Sequence, residues 1–331
     1  MRPRSGKKAY FCPACGAADD GESDDRNGAA AHKRSETMMR RFAFLLFSLA
    51  LAACNSGKET STVEIEEPAS GIYEYTPAPG QFINSSHAGF PATPITTPEE
   101  AAAYASQRLA QNFYVSLGGW GGYLIAEFDR PVPNTGGYDL YVIGNTFDGS
   151  SEPGIVWVAQ REQGAPGTWY QLRGSEYDNA ETLHDYEITY TAPAQSGEPV
   201  AWSDNYGHTG TIDRIGVHTQ ESYVPAWVAS LTYRGTRLRE NVHYDEASGK
   251  YVMQAFAWGY ADNYSSIDRL GTKNRFRIAD AVDERGEAVH LPQIDYIRIQ
   301  TGVNAKAGNS VGEISTEVCG VGCFRTVTRT E

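Results

Sequence analysis

The sequence predicts a mostly β protein, a jelly-roll-like β-sandwich with one short N-terminal helix at about 98–111. Three observations predict it. Short apolar or alternating runs recur at near-regular spacing with no helices between them. Turn-forming residues are plentiful, 34 Gly and 16 Pro in 331 residues, which favours many turns over long helices. One segment is well marked as a helix.

That helix comes first. Thr97 can N-cap, Pro98 suits the first helical position, and Glu100 completes a Thr-x-x-Glu capping box. Good helix formers continue from Ala101 to Gln111. Strands are then expected at 122–129 (GYLIAEFD), 138–144 (YDLYVIG), 155–160 (IVWVAQ) and 168–173 (TWYQLR). Further strands are expected at 185–191 (DYEITYT), 251–258 (YVMQAFAW) and 293–300 (QIDYIRIQ). Strands without alternating helices argue against an α/β sheet. Residues 71–318 contain no internal repeat and no long linker, so they read as one domain, with 319–331 as a tail.

Composition and charge narrow the function classes. Hydrophobic residues make up 40% of the chain, enough for a packed core over most of its length. Residues 1–53 hold 9 Lys/Arg and 6 Asp/Glu, whereas the remainder holds 19 basic against 35 acidic residues, a net of −16. A surface this acidic repels phosphate backbones, and no basic cluster overrides it. Nucleic acid is a poor partner.

The N-terminal region reads as an address. Met39, Arg40 and Arg41 precede an apolar run from Phe42 to Ala53, and Cys54 follows. A basic start, a short apolar stretch and small residues before a cut are the parts of a secretory signal, here 38–53. Twelve residues are too few to span a bilayer, which takes ~20. Leu51-Ala52-Ala53-Cys54 is similar to the lipobox of bacterial lipoproteins, which implies that Cys54 carries a lipid and anchors the chain to a membrane. Residues 1–37 then read as an over-called start. The Cys12–Cys15 pair inside them has redox or zinc spacing, but no second pair follows it. Residues 54–70 are polar and acidic and are expected to form a flexible tether.

Few residues point to catalysis. His184, His208, His218, His243 and His290 show no metal-ligand spacing, and no Gly-x-Ser-x-Gly elbow marks a nucleophile. Asp280, Asp283 and Glu284 sit together on an expected turn and offer hard oxygen ligands for a structural calcium; a solvated acidic turn is the plainer reading. Trp120, Trp202, Trp227, Trp258 and Tyr260 fall at strand ends or turns, where aromatic faces either stack on a sugar or another flat ligand or pack in the core. Asn205, His208, Asp262 and Asn263 are polar neighbours suited to completing such a site, or to making ordinary turns. Cys319 and Cys323 either close a small disulfide in an oxidising compartment or remain thiols.

Several motifs resemble an uncharacterised family of Bacteroidota "cell surface protein" lipoproteins. They are Glu74-Tyr-Thr-Pro-Ala-Pro-Gly-Gln-Phe-Ile-Asn84, Ser116-Leu-Gly-Gly-Trp-Gly-Gly-Tyr123, Gly144-Asn-Thr-Phe147, Trp258-Gly-Tyr-Ala-Asp-Asn263 and the run from Ile294 to Gly308. The resemblance implies a galactose-binding-like jelly roll anchored in the outer membrane and facing the cell surface. It implies capture of a ligand, with glycan as the default class, beside a TonB-dependent transporter. Corrinoid (vitamin B12) capture is the related alternative. A secreted hydrolase and a structural or adhesive surface protein are the rivals from other classes.

Overall fold

The structure is a computed structural model, and it describes residues 60–330. The expected start 1–37, signal 38–53, anchor Cys54 and first part of the tether, 54–59, lie outside the described residues. The described chain divides into a large unit, residues 66–325, and a small one made of residues 60–65 and 326–330. Both pieces of the small unit are extended, as the outer ends of strands Thr60–Pro68 and Gly320–Thr330.

The large unit is a β-sandwich with additions. Its central sheet has six antiparallel strands in the order Ala281–Val282, Ala165–Leu172, Gly154–Glu162, Gln293–Thr301, Tyr123–Pro133 and Gly71–Thr76. A second sheet joins Thr60–Pro68, Gly320–Thr330, Leu140–Ile143, Lys273–Phe276 and Arg269–Leu270 in that order. A third, four-stranded sheet runs Thr209–Ile212, Val200–Asp204, Leu183–Thr191 and Thr232–Arg237.

Period-two alternation decides which face each strand buries. Leu124, Ala126 and Phe128, Val156 and Val158, and Ile297 and Ile299 enter the main core. They meet Leu140, Val142, Phe276, Val321 and Cys323 from the second sheet. The intervening Ile125, Ala159 and Tyr296 form a separate cluster. Each fully buried Leu or Ile contributes ~1.5–3 kcal/mol, so this double layer carries the fold. The four-stranded sheet has its own aromatic core of Trp120, Tyr186, Tyr190, Tyr223 and Tyr233.

The helix is Pro98–Ala110, with both halves of the Thr97/Glu100 capping box formed. It buries Ala101, Tyr104 and Ala105, the i, i+3, i+4 face that lies against the sandwich.

Three expectations are corrected. The tether 54–70 is not flexible throughout, because Thr60–Pro68 is a strand. Val63, Ile65 and Glu67 are half-buried while Glu64, Glu66 and Pro68 are exposed, a period-two pattern masked by the acidic composition. The tail 319–331 is likewise a strand from Gly320 to Thr330, with Val321, Cys323 and Phe324 buried. That strand argues against the 319–323 disulfide. The ladder from Gly320↔Ile143 to Cys323↔Leu140 holds the backbone extended, so its three residue steps alone span ~10 Å, against the ~7 Å that a disulfide bridges. Both cysteines are buried, and burial pushes the Cys323 thiol up to about 11.

The strand expected at 251–258 stops at Met253. Beyond it the backbone of Phe256 pairs with a side chain rather than a neighbouring strand. Asn263 accepts from the Phe256 N–H at 2.9 Å and donates to its carbonyl at 2.8 Å. The turn this creates builds the site described next.

Candidate functional site

One groove of about 230 Å³ gathers Tyr138, Arg173, Trp258, Ile267, Arg275 and Arg277. These come from the start of strand Leu140–Ile143, the end of Ala165–Leu172, the loop 254–268, and the end of Lys273–Phe276. Strand ends and the loops between them are where a β-sandwich places ligands, because the strands themselves are committed to ladders.

The loop that carries Trp258 is held by buried polar side chains. Asp268, 2% exposed, accepts from the Gly259 N–H at 2.6 Å and from the Ser265 hydroxyl. Asn263 brackets Phe256 and donates its own N–H to Asn274 Oδ1 at 3.2 Å. The Trp258 carbonyl receives the Ser175 N–H at 3.0 Å. Gly259 adopts φ +88°, and a Cβ there would lie 2.4 Å from the Gly174 Cα. Two backbones therefore touch, and only glycine fits between them. The result is a rigid turn that leaves the Trp258 side chain half-buried at the groove.

The arginines are also fixed. The Arg275 guanidinium lies over the Tyr138 ring at 4.1 Å, and its Nε donates to the Asp268 carbonyl at 3.0 Å. Arg277 donates to Asp280 at 2.9 Å, a bond that holds its guanidinium still further into the charged form. Arg173 sits 4.5 Å over the Tyr177 ring and pairs with Asp178 at 3.0 Å. Among the described residues its buried Nε has no hydrogen-bond partner. Aromatic faces and a fan of donors on one concave surface suit a flat, oxygen-rich ligand.

Of the residues singled out in the sequence, Trp258 lines this groove beside Asp280. Tyr260 is 1% exposed and packs in a core cluster with Phe256 and Leu238; its hydroxyl accepts from the Glu176 N–H at 2.9 Å. Asp262 and Asn263 are fully buried. The Asp262 carboxylate accepts from the backbone N–H groups of Asn145 and Thr146 at 3.0 Å each and of Glu317 at 2.9 Å, so it ties three chain segments together. These three residues build the fold around the groove instead of facing a ligand.

Trp120 and Trp227 are core residues, 1% and 6% exposed. Trp120 packs edge-on against Tyr186 at 4.6 Å, and Trp227 donates its indole N–H to the Tyr75 carbonyl at 3.0 Å. Gly121, at φ +89°, lets the chain pass within reach of the Tyr233 side chain, which folds Trp120 inward. Trp202 lies on the four-stranded sheet, half-buried, with its indole against the Gly210 backbone. Asn205 and His208 belong to the adjoining turn. Asn205 bonds the backbones of Glu187 and Asp185 at 3.0 and 2.8 Å, and His208 bonds Asp204 at 2.9 Å.

The expected calcium turn is an ion-paired hairpin loop. Asp283 accepts from the Arg285 and Glu287 N–H groups at 2.9 Å each and pairs with the Arg285 guanidinium at 3.1 Å. Asp280 pairs with Arg277, and Glu284 is exposed. Among the described residues no group of three or more acidic, His or Cys side chains converges as metal ligands do.

Sequence reasoning missed Tyr138, Arg173, Arg275 and Arg277. The available signal was Arg275-x-Arg277 at the end of a strand, two cations on one face at period two.

A further buried group stands apart from the groove. Glu313 is 4% exposed; its Oε1 accepts from the Gln81 N–H at 2.6 Å, and its buried Oε2 has no partner among the described residues. Burial pushes its carboxyl up to about 8. Burial, followed by the Glu317 and Asp262 carboxylates, also raises Glu152 well above the usual range.

In comparisons with known proteins, no protein-family model and no curated protein matches this chain.

Proposed function

We propose that this chain is a lipid-anchored lipoprotein whose β-sandwich captures a glycan in the groove at Trp258. The supporting observation is the half-buried Trp258 side chain, held on a rigid turn beside Tyr138 and three guanidinium groups. An aromatic ring stacks on the apolar face of a sugar, while neighbouring N–H donors bind its hydroxyl oxygens. The lipobox ending at Cys54 supports the anchor, which keeps the domain at an outer-membrane surface and its ligand beside an importer of the TonB-dependent type. The two carboxylates of the groove are engaged inside the fold, Asp268 with Gly259 and Ser265 and Asp280 with Arg277. Capture therefore accounts for the groove better than hydrolysis.

A glycan array probed with the full chain and with Trp258→Ala tests this reading. Binding by the parent that falls at least about tenfold in the variant, with an unchanged melting temperature, is expected for a stacking residue. A blank array, or equal binding by both proteins, overturns it.

A further inference from the structure

We propose that the groove recognises a carboxylate on its ligand, so that the captured glycan is an acidic one, with Arg275 receiving the charge. This rests on the capture reading above and names its substrate class.

The inference starts from how the three arginines of the groove are partnered. Arg277 is paired with Asp280 and Arg173 with Asp178. Arg275 has no such partner: among the described residues no carboxylate lies within ion-pair distance of it. The neighbouring Asp268 offers its backbone carbonyl to the Arg275 N–H and Nε at 3.2 and 3.0 Å. The Asp268 carboxylate points elsewhere, to Gly259 and Ser265.

Geometry then says what Arg275 can take. Its ring-stacked face and its Nε are occupied by Tyr138 and Asp268, whereas among the described residues no hydrogen bond uses its two terminal nitrogens. Those nitrogens are the fork that meets a carboxylate through two parallel bonds. Stacking on Tyr138 fixes the plane of the fork before a ligand arrives, which lowers the ordering cost of binding. A guanidinium held this way in a chain of net −13 is a local cation in an acidic surround, so it selects at short range what the overall field repels. The volume, about 230 Å³, falls below the ~300–1,000 Å³ of pockets that enclose drug-sized ligands. It suits a terminal acidic sugar or a short stretch of chain.

The test uses the full chain on an array that carries galacturonate-, glucuronate- and sialic-acid-terminated oligosaccharides beside their methyl esters and neutral counterparts, with sulfated chains included. The strongest acidic binder is then titrated calorimetrically against the parent, Arg275→Gln and Arg275→Lys. The acid is expected to bind at least about tenfold more tightly than its own methyl ester, a comparison that needs no variant. Arg275→Gln is expected to abolish that preference by weakening the acid far more than its ester, and Arg275→Lys to restore it in part. Equal binding of acid and ester, with both lost in Trp258→Ala, overturns the carboxylate proposal and leaves glycan capture standing. Binding confined to sulfated chains overturns it in the same way. No binding to any glycan overturns both.

Discussion

Glu313 supplies a stability prediction whose sign and size follow from its surroundings. It is nearly fully buried, one oxygen is bonded to the Gln81 N–H and the other has no partner among the described residues. Burial is the largest influence on it, and its carboxyl titrates at about 8 instead of 4.5. The folded state thus holds the proton more tightly than the unfolded chain. The stability this group contributes is complete below pH 4.5, declines as pH rises toward 8, and is gone above that. The gap between the two values corresponds to about 5 kcal/mol, an upper bound because relaxation and water entry recover part of the cost of a buried charge. A loss on the order of 2 kcal/mol or more is expected to remain. Glu313→Gln keeps the acceptor for Gln81 and the side-chain shape but cannot ionise. Urea unfolding of both proteins at pH 5 and pH 9 reads the difference, since all other titrating groups cancel between them. The variant is expected to match the parent within about 1 kcal/mol at pH 5 and to exceed it by about 2 kcal/mol at pH 9. A variant no more stable than the parent at pH 9 would refute the reasoning.

Two further substitutions test the frame of the groove. Asn263→Ala leaves the buried N–H and carbonyl of Phe256 without partners. It is expected to cost on the order of 2–4 kcal/mol, read as a lowered denaturation midpoint; a midpoint equal to the parent's would show that the bracket is dispensable. Gly259→Ala places a Cβ 2.4 Å from Gly174 at φ +88°, and a destabilisation of about 2–4 kcal/mol is expected. Glycan binding should weaken with it, since the same turn carries Trp258. Retained stability together with retained binding would show that the two backbones can part freely.

The helix and the central strands were legible because their signals are local. A capping box is four consecutive residues, and it formed as written at Thr97–Glu100. Period-two alternation over 124–128 and 296–299 assigns each residue to one of two faces, and the two separate clusters match that assignment. Strands such as Thr209–Ile212 and Arg269–Leu270 escaped because they are short and polar, and their pairing partners supply the order that their own residues do not encode. Thr60–Pro68 escaped for a different reason. Its alternation is carried partly by Glu67, whose carboxylate is tied to Arg130 and Arg325, so an apolar count does not register it.

The candidate site was half legible, and the division is physical. A tryptophan next to glycine has two fates, and its neighbours in sequence do not choose between them. At Trp120 the flanking Gly121 brings the chain against Tyr233 and the ring turns into the core. At Trp258 the flanking Gly259 brings the chain against Gly174, and the ring is left at the surface groove. The difference lies in which distant segment the glycine contacts, information that appears only once the sheets have assembled.

The polar residues around Trp258 follow the same logic. Asp262 and Asn263 looked like ligand-facing groups because they are polar neighbours of Trp258, and the fold adds Asp268 and Asn274 to them. All four are buried and bonded within the protein. A loop without ladder bonds must satisfy its backbone some other way, and buried side-chain amides and carboxylates do it here. Such a network has few alternative arrangements, because each unmade bond costs about 1–3 kcal/mol. It therefore fixes one loop conformation in which Trp258 is half-buried at the groove and Arg275 is stacked, before any ligand is present. Binding then avoids most of the cost of ordering the site. The polar cluster thus contributes to recognition by holding the loop still, while contact with the ligand falls to the aromatic and cationic residues at its edge.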